Sequence, residues 1–221
     1  MTTDNPILRA RELGQSIWLD NLGRELIGSG RLAQMVRHDG LAGVTSNPAI
    51  FEKAIAGGER YDQTIRELVH AGVNDTDTIY RRLVVADVQA AADILRPVYE
   101  ASAMADGYVS LEVSPDMAHD SAGTLREARL LAAAVDRPNL MIKVPATPAG
   151  YAAIERLLGE GISVNATLIF SVQAYGAVAQ AYQAGVERFV AGGGDARRLA
   201  SVASFFVSRV DSAVDALLQR R

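Results

Sequence analysis

Short apolar runs of strand length alternate along the chain with longer stretches of helical period. Residues 16–19 form the first run, which ends at Asp20; Leu22, Leu26, Ile27, Leu32, Met35 and Val36 then fall on one face of a predicted helix. Gly40 closes that helix, and residues 41–45 supply a second strand that runs into Ser46, Asn47 and Pro48. An Asn cap with Pro at the first helical position is a helix start. Residues 49–107 are helical in pattern almost throughout, in stretches at 51–55, 61–70 and 76–103, the last expected to kink or split at Pro97. Strand signals return at 108–113, where Ser114 and Pro115 stop them, and a helix of good formers follows at 124–135. The pattern then repeats: a strand at 140–144 and a helix from Thr147-Pro148 to Gly161, a strand at 163–168 and a helix capped near Ser171, a strand at 202–207 and a helix at 211–219.

Six strand-then-helix units result. Strands that read as continuous apolar runs and alternate with helices imply an α/β fold whose parallel sheet is covered on both faces or closed into a barrel. A doubly wound sheet usually carries a Gly-rich turn after its first strand, whereas here that turn is Asp20-Asn21-Leu22. The (β/α) barrel instead predicts reactive side chains at the carboxyl ends of several strands. No repeat, low-complexity tract or linker divides the chain, so residues 1–221 are expected to form one domain with a helical insertion at about 49–107.

Composition narrows the chemistry. Lys plus Arg make 22 and Asp plus Glu 26, a net charge of −4, which excludes a global basic footprint for nucleic acid. No apolar run reaches the roughly 18 residues that span a bilayer, and the first residues lack a signal-peptide pattern, so the chain reads as cytoplasmic and without a membrane partner. The absence of Cys removes disulfides, thiolate zinc sites and a Cys nucleophile. His38, His70 and His119 have no partners at metal-ligand spacing, and no metal or other cofactor is expected.

Lysine usage says more than charge. Lys53 and Lys143 are the two lysines among the 22 basic residues, and Lys143 lies inside an apolar run. A buried ammonium is expensive to desolvate, so its proton should be held less tightly, and the neutral amine is a nucleophile toward carbonyls; a guanidinium cannot do this. An interior lysine paired with a carboxylate is the structural alternative. At or near the ends of the other strands stand Asp20, Asn47, Glu112, Asn165 with Thr167, and Ser204 followed by Arg209. Each has a structural reading by itself: Asp20 and Asn47 as caps, Thr167 as a strand residue, Arg209 as a snorkelling surface cation. Together they fit imine chemistry, with Glu112 moving protons to and from the departing water, Thr167 holding that water, and Asp20 acting on a substrate hydroxyl.

The segments Val44-Thr-Ser-Asn-Pro48, Met141-Ile-Lys-Val-Pro-Ala-Thr147, Val164-Asn-Ala-Thr-Leu-Ile-Phe-Ser171 and Val202-Ala-Ser-Phe-Phe-Val-Ser-Arg-Val-Asp211 resemble those of transaldolase, in order and over essentially the whole chain. The resemblance implies a TIM barrel of the class I aldolase type and an enzyme of the non-oxidative pentose phosphate pathway. Such an enzyme moves a dihydroxyacetone unit between sugar phosphates, from sedoheptulose 7-phosphate to glyceraldehyde 3-phosphate, without a cofactor. It implies Lys143 as the Schiff-base lysine, Glu112 and Thr167 as the pair that handles the catalytic water, and Asp20 as the acid/base at the C4 hydroxyl. Asn47, Asn165 and Ser204 correspond to residues that bind sugar hydroxyls, and Arg209 to a phosphate-binding arginine.

The resemblance also implies eight strand-helix units, two more than the pattern supplies, so the barrel is expected to be incomplete at its C-terminal end. A fragment of a longer chain, completion by a partner chain, and a remnant with little activity are the competing explanations; open strand edges would favour a homo-oligomer. A fructose-6-phosphate aldolase-like lyase and a non-catalytic barrel fragment are the alternative functions. Short family members lack the helical insertion that residues 49–107 retain.

Overall fold

The computed structural model describes residues 5–220. These fall into two compact units, one made of residues 5–112 with 131–140, the other of residues 113–130 with 141–220.

The first unit opens with α1 (Pro6–Glu12), a helix the periodicity does not announce. Asn5 caps it by accepting from the Ile7 N–H, with Pro6 at the first position, the same Asn-Pro device as at Asn47. Strand β1 (Trp18–Asp20) follows. The expected helix over 22–36 is broken into α2 (Arg24–Gly28), α3 (Arg31–Gln34) and a π-helical turn, Met35–Asp39. The physical reason is Gly30, whose φ of 74° is left-handed and cannot continue a helix. Gly40 ends the stretch as expected, at φ 77°.

Strand β2 (Gly43–Thr45) leads to α4 (Pro48–Ala56), α5 (Asp62–His70) and the long α6 (Thr76–Ala101), and β3 (Tyr108–Glu112) completes the unit's strands. Of the expected kink or split at Pro97, the split does not occur: α6 is one helix from Thr76 to Ala101 with Pro97 inside it. It buries Val84, Val88, Ala91, Leu95 and Val98 at helical spacing, together with Val44, Val109 and Leu111 of the strands. Burial of each large apolar side chain is worth about 2 kcal/mol, which outweighs the bond a proline forfeits. Strands β1, β2 and β3 lie side by side in that order and are parallel.

In the second unit α7 (Ser121–Val135) begins three residues earlier than its pattern suggests, and its last turn belongs to the first unit. Strand β4 (Leu140–Pro145), α8 (Pro148–Gly159), β5 (Val164–Ile169), α9 (Val172–Ala191), β6 (Ser201–Phe205) and α10 (Val207–Leu218) follow. Helix α10 starts four residues before its expected position, so Phe206 and Val207, expected as strand, are the cap and first residue of the helix. Thr147 and Ser171 cap α8 and α9 as the sequence indicates, accepting from the N–H groups of Gly150 and Ala174. Strands β4, β5 and β6 are again parallel and in sequence order. Ile142, Val144, Val164 and Ala166 are buried with Ile154, Leu157 and Leu158 of α8. Parallel strands in chain order, each followed by helix, belong to the (β/α) barrel, and the described residues supply six of the eight units that close one.

Candidate active site

In the first unit, register places Asp20, Thr45 and Ser110 abreast on β1, β2 and β3. Alternation along a strand then puts Trp18, Gly43 and Tyr108 on the same face, opposite to the apolar Leu19, Val44 and Val109. Asp20 is exposed at the carboxyl end of β1, and its Oδ1 accepts a 2.6 Å bond from the Thr45 hydroxyl. Asn47 is half-buried two residues beyond β2. Its Oδ1 accepts from the Ile50 N–H at 2.9 Å, so its carbonyl serves as the cap of α4 while its Nδ2 makes no bond among the described residues. Between them Ser46 is fully buried, its hydroxyl donating to the Ser110 carbonyl at 2.7 Å and its N–H to the same oxygen at 3.1 Å. Glu112 is the last residue of β3 and half-buried.

In the second unit, Lys143 is 4% exposed on β4, directly across from Asn165 of β5, and Pro145 is across from Thr167. Residue pairs in parallel register share a face, so the amine, the amide and the hydroxyl all project from one side of the sheet. Asn165 pairs in turn with Val202 of β6, and two residues on, the Ser204 hydroxyl donates to Asn165 Oδ1 at 2.8 Å. Four sequence-predicted residues are therefore brought together here. Arg209 stands apart on the first turn of α10, exposed, with its guanidinium 4.7 Å from the centre of the Phe206 ring.

Two side-chain atoms among the described residues are buried without a hydrogen-bond partner, Asn139 Oδ1 and Thr167 Oγ1. They differ in kind. Asn139 already uses its amide nitrogen twice, donating to the Ala92 and Gly107 carbonyls at 2.9 and 2.8 Å. The Thr167 hydroxyl makes no bond at all, although the Thr167 carbonyl accepts from the Ala146 N–H at 2.8 Å. A buried unsatisfied hydroxyl costs about 1–3 kcal/mol, so this one is available to a ligand at a position where the fold gains nothing from it.

Sequence reasoning misses a bulge beside that hydroxyl. Ala166 pairs with Ala203 and Ile169 with Phe205, so Thr167 and Leu168 together oppose Ser204. Leu168 adopts φ 59°, left-handed and rare for a leucine, and its side chain is 39% exposed. Bulges re-aim side chains at the ends of strands, and no Gly or Asn marks this one in the sequence. Thr45 is also missed as the residue that holds Asp20, although a hydroxyl at the carboxyl end of a strand is a readable signal. Among the described residues no three His, Asp or Glu side chains group to hold a metal ion, and no helix is long and apolar enough to cross a membrane.

Comparison with known proteins adds the context of these strands. The transaldolase/fructose-6-phosphate aldolase family matches residues 17–221. The chain is similar to Transaldolase 2 of Nostoc punctiforme, 53% identical over 208 residues that make up 94% of this chain and 54% of that protein. It is similar to Transaldolase 1 of Streptomyces avermitilis, 53% identical over 96% of this chain and 56% of the relative. The transaldolase of Saccharopolyspora erythraea is 51% identical over 99% of this chain and 59% of its own length. The chain thus spans a little over half the length of the curated relatives it matches.

Proposed function

The chain belongs to the transaldolase/fructose-6-phosphate aldolase family, and from that premise we propose that it performs the lysine Schiff-base chemistry of a transaldolase, transferring a dihydroxyacetone unit between sugar phosphates. The observation that carries this reading is the buried Lys143 amine, level with Asn165 and sharing a strand face with the unpartnered Thr167 hydroxyl. In this reading the Lys143 Nζ attacks the C2 carbonyl of a ketose phosphate, and Glu112 moves protons to and from the carbinolamine oxygen as water leaves and the imine forms. Thr167 holds that water. Asp20 then takes the C4 hydroxyl proton, the C3–C4 bond breaks, and an aldose phosphate departs while the three-carbon enamine stays on the lysine. The enamine adds to an acceptor aldehyde, and hydrolysis of the new imine releases the product ketose phosphate and restores the amine.

Asn47, Asn165 and Ser204 bind substrate hydroxyls in this scheme, and Arg209, exposed at the start of α10, binds the phosphate. The proposal includes residues 1–221 as one barrel domain with its helical insertion at about 49–107, sugar phosphates as partners rather than nucleic acid or membrane, association into a homo-oligomer, and a cytoplasmic place in the non-oxidative pentose phosphate pathway. Relatives named transaldolase favour the transferase over the aldolase reading. The two are separated by acceptor dependence: the purified 221-residue chain is incubated with fructose 6-phosphate, with and without erythrose 4-phosphate. Formation of sedoheptulose 7-phosphate that requires the acceptor supports the transferase. Release of free dihydroxyacetone without acceptor identifies a lyase, and no consumption of fructose 6-phosphate by the folded chain contradicts both.

A further inference from the structure

The proposed chemistry uses one of the chain's two lysines. The other, Lys53 on α4, lines a cleft of about 940 Å³ in the first unit, formed by residues between 19 and 35 and between 53 and 61. Leu19, Leu22 and Met35 supply apolar wall, and Arg24, Arg31, Lys53 and Arg60 bring four cationic side chains to it against the single carboxylate of Glu25. Leu19 and Asp20 alternate on β1, so the cleft lies on the other face of that strand from Asp20. It is therefore a feature separate from the polar strand face described above.

The cations are not spent on the fold alike. Arg60 pairs with Glu25. Arg24 is held rigidly: its Nε donates to Asp87 Oδ1 at 3.0 Å, its Nη1 donates to Thr64 Oγ1 at 2.7 Å and to the Arg60 carbonyl at 3.4 Å, and its guanidinium lies over the Tyr61 ring at 4.5 Å. Its Nη2 finds no acceptor among the described residues, and the side chain remains 21% exposed. Arg31 and Lys53 are exposed and make no ion pair among the described residues. The cleft thus presents one preorganised guanidinium edge and two uncommitted cations beside an apolar wall. Its volume is within the range of about 300–1,000 Å³ usual for small-molecule sites.

Guanidinium forks and a lysine point charge are the usual protein donors to phosphate oxygens. We propose that this cleft binds a small phosphorylated metabolite carrying at least two negative charges, with Arg24, Arg31 and Lys53 as its ligands and the apolar wall against its organic body. The inference does not rest on the Lys143 chemistry, since every residue it uses belongs to the first unit.

The test is calorimetric titration of the folded 221-residue chain with pyrophosphate at low salt, with inorganic phosphate as the comparison probe. The expected result is saturable binding of one pyrophosphate per chain, weakened about tenfold or more in the double variant Arg31→Gln with Lys53→Gln, as loss of charge-assisted bonds requires. Circular dichroism and the melting temperature of that variant should match the parent, because neither side chain has an ion-pair or hydrogen-bond partner among the described residues. Arg209→Gln should leave the binding unchanged, and inorganic phosphate should bind more weakly. Absence of saturable pyrophosphate binding, binding indifferent to the double variant, binding lost with Arg209→Gln, or phosphate binding as tightly as pyrophosphate would each overturn the proposal.

Discussion

The first unit buries a carboxylate inside a closed hydrogen-bond network, and the second buries an amine on a sheet face that also carries an unpartnered hydroxyl. Asp87 of α6 is 4% exposed, and both its oxygens are in use: Oδ1 accepts from Arg24 Nε at 3.0 Å and Oδ2 from the Tyr61 hydroxyl at 2.6 Å. Tyr61 in turn accepts from the Arg24 N–H at 3.1 Å, which closes the network. Burial raises the Asp87 carboxyl above its ordinary value in spite of those bonds, and burial together with the Asp87 hydrogen bond pushes the Tyr61 phenol up strongly. Lys143 is equally buried, and the same sheet face carries Thr167, whose hydroxyl has no hydrogen-bond partner among the described residues. A closed network stabilises the fold. A buried hydroxyl without a partner costs stability, and one that projects from the same sheet face as a buried amine is where substrate chemistry is to be sought.

The sharpest way to break that comparison is to remove the carboxylate. Asp87→Ala is expected to destabilise the chain by about 3 kcal/mol, since Arg24 and Tyr61 are left without their buried partner, and urea denaturation followed by circular dichroism measures it. A loss below about 1 kcal/mol would mean the network is incidental. Thr167→Val should do the reverse, leaving the urea midpoint unchanged or slightly raised while turnover of fructose 6-phosphate falls about a hundredfold. A stability loss as large as that of Asp87→Ala would show that the hydroxyl serves the fold after all. Tyr61→Phe removes one donor and one acceptor from a network that can partly relax, and about 1–2 kcal/mol is expected from the same denaturation experiment.

The smallest effect lies on the surface. Arg129 donates to both oxygens of Glu160, at 2.6 and 2.8 Å, and these hydrogen bonds hold the Glu160 carboxyl below its ordinary value. A depressed folded-state value means that the pair stabilises the chain above the ordinary glutamate range, and that this contribution fades as pH falls through the depressed value. Glu160→Gln should therefore cost no more than about 0.5 kcal/mol at neutral pH, and the gap from the parent should close below about pH 4. A gap that persists or widens in acid would assign the effect to packing rather than charge.

Much of the fold was legible because it rests on local signals. Asn47-Pro48, Thr147-Pro148 and Ser171 start helices where the sequence says they should, and the apolar runs around Val109, Ile142 and Val164 are strands within a residue or two. The misreadings come where tertiary packing or a backbone conformation overrides the pattern. Pro97 signals a kink or a split, and the burial of Leu95 and Val98 carries the helix through without a split, while the left-handed Gly30 interrupts an otherwise continuous apolar stripe. Asn5-Pro6 repeats the Asn47-Pro48 signal, but α1 buries no residue and so carries no apolar stripe to announce it.

Within the second unit the candidate residues were legible as polar positions in apolar strands, and strand register gathers Lys143, Asn165, Thr167 and Ser204 on one face. The bulge at Leu168 was not legible, since it depends on how β5 meets β6. Asp87 carried a readable signal, a lone carboxylate on the helical stripe of Leu83, Val84 and Val88, but its partners Arg24 and Tyr61 lie too far away in the chain for spacing to reveal them.

The central claim is that the Lys143 amine attacks a ketose phosphate carbonyl. Its most direct test is to incubate the 221-residue chain with fructose 6-phosphate, reduce with sodium borohydride, and locate the added mass by peptide mass spectrometry. The account predicts a three-carbon adduct on Lys143, absent from a folded Lys143→Arg variant. An adduct on Lys53 instead, or none on a chain shown to be folded, would contradict it.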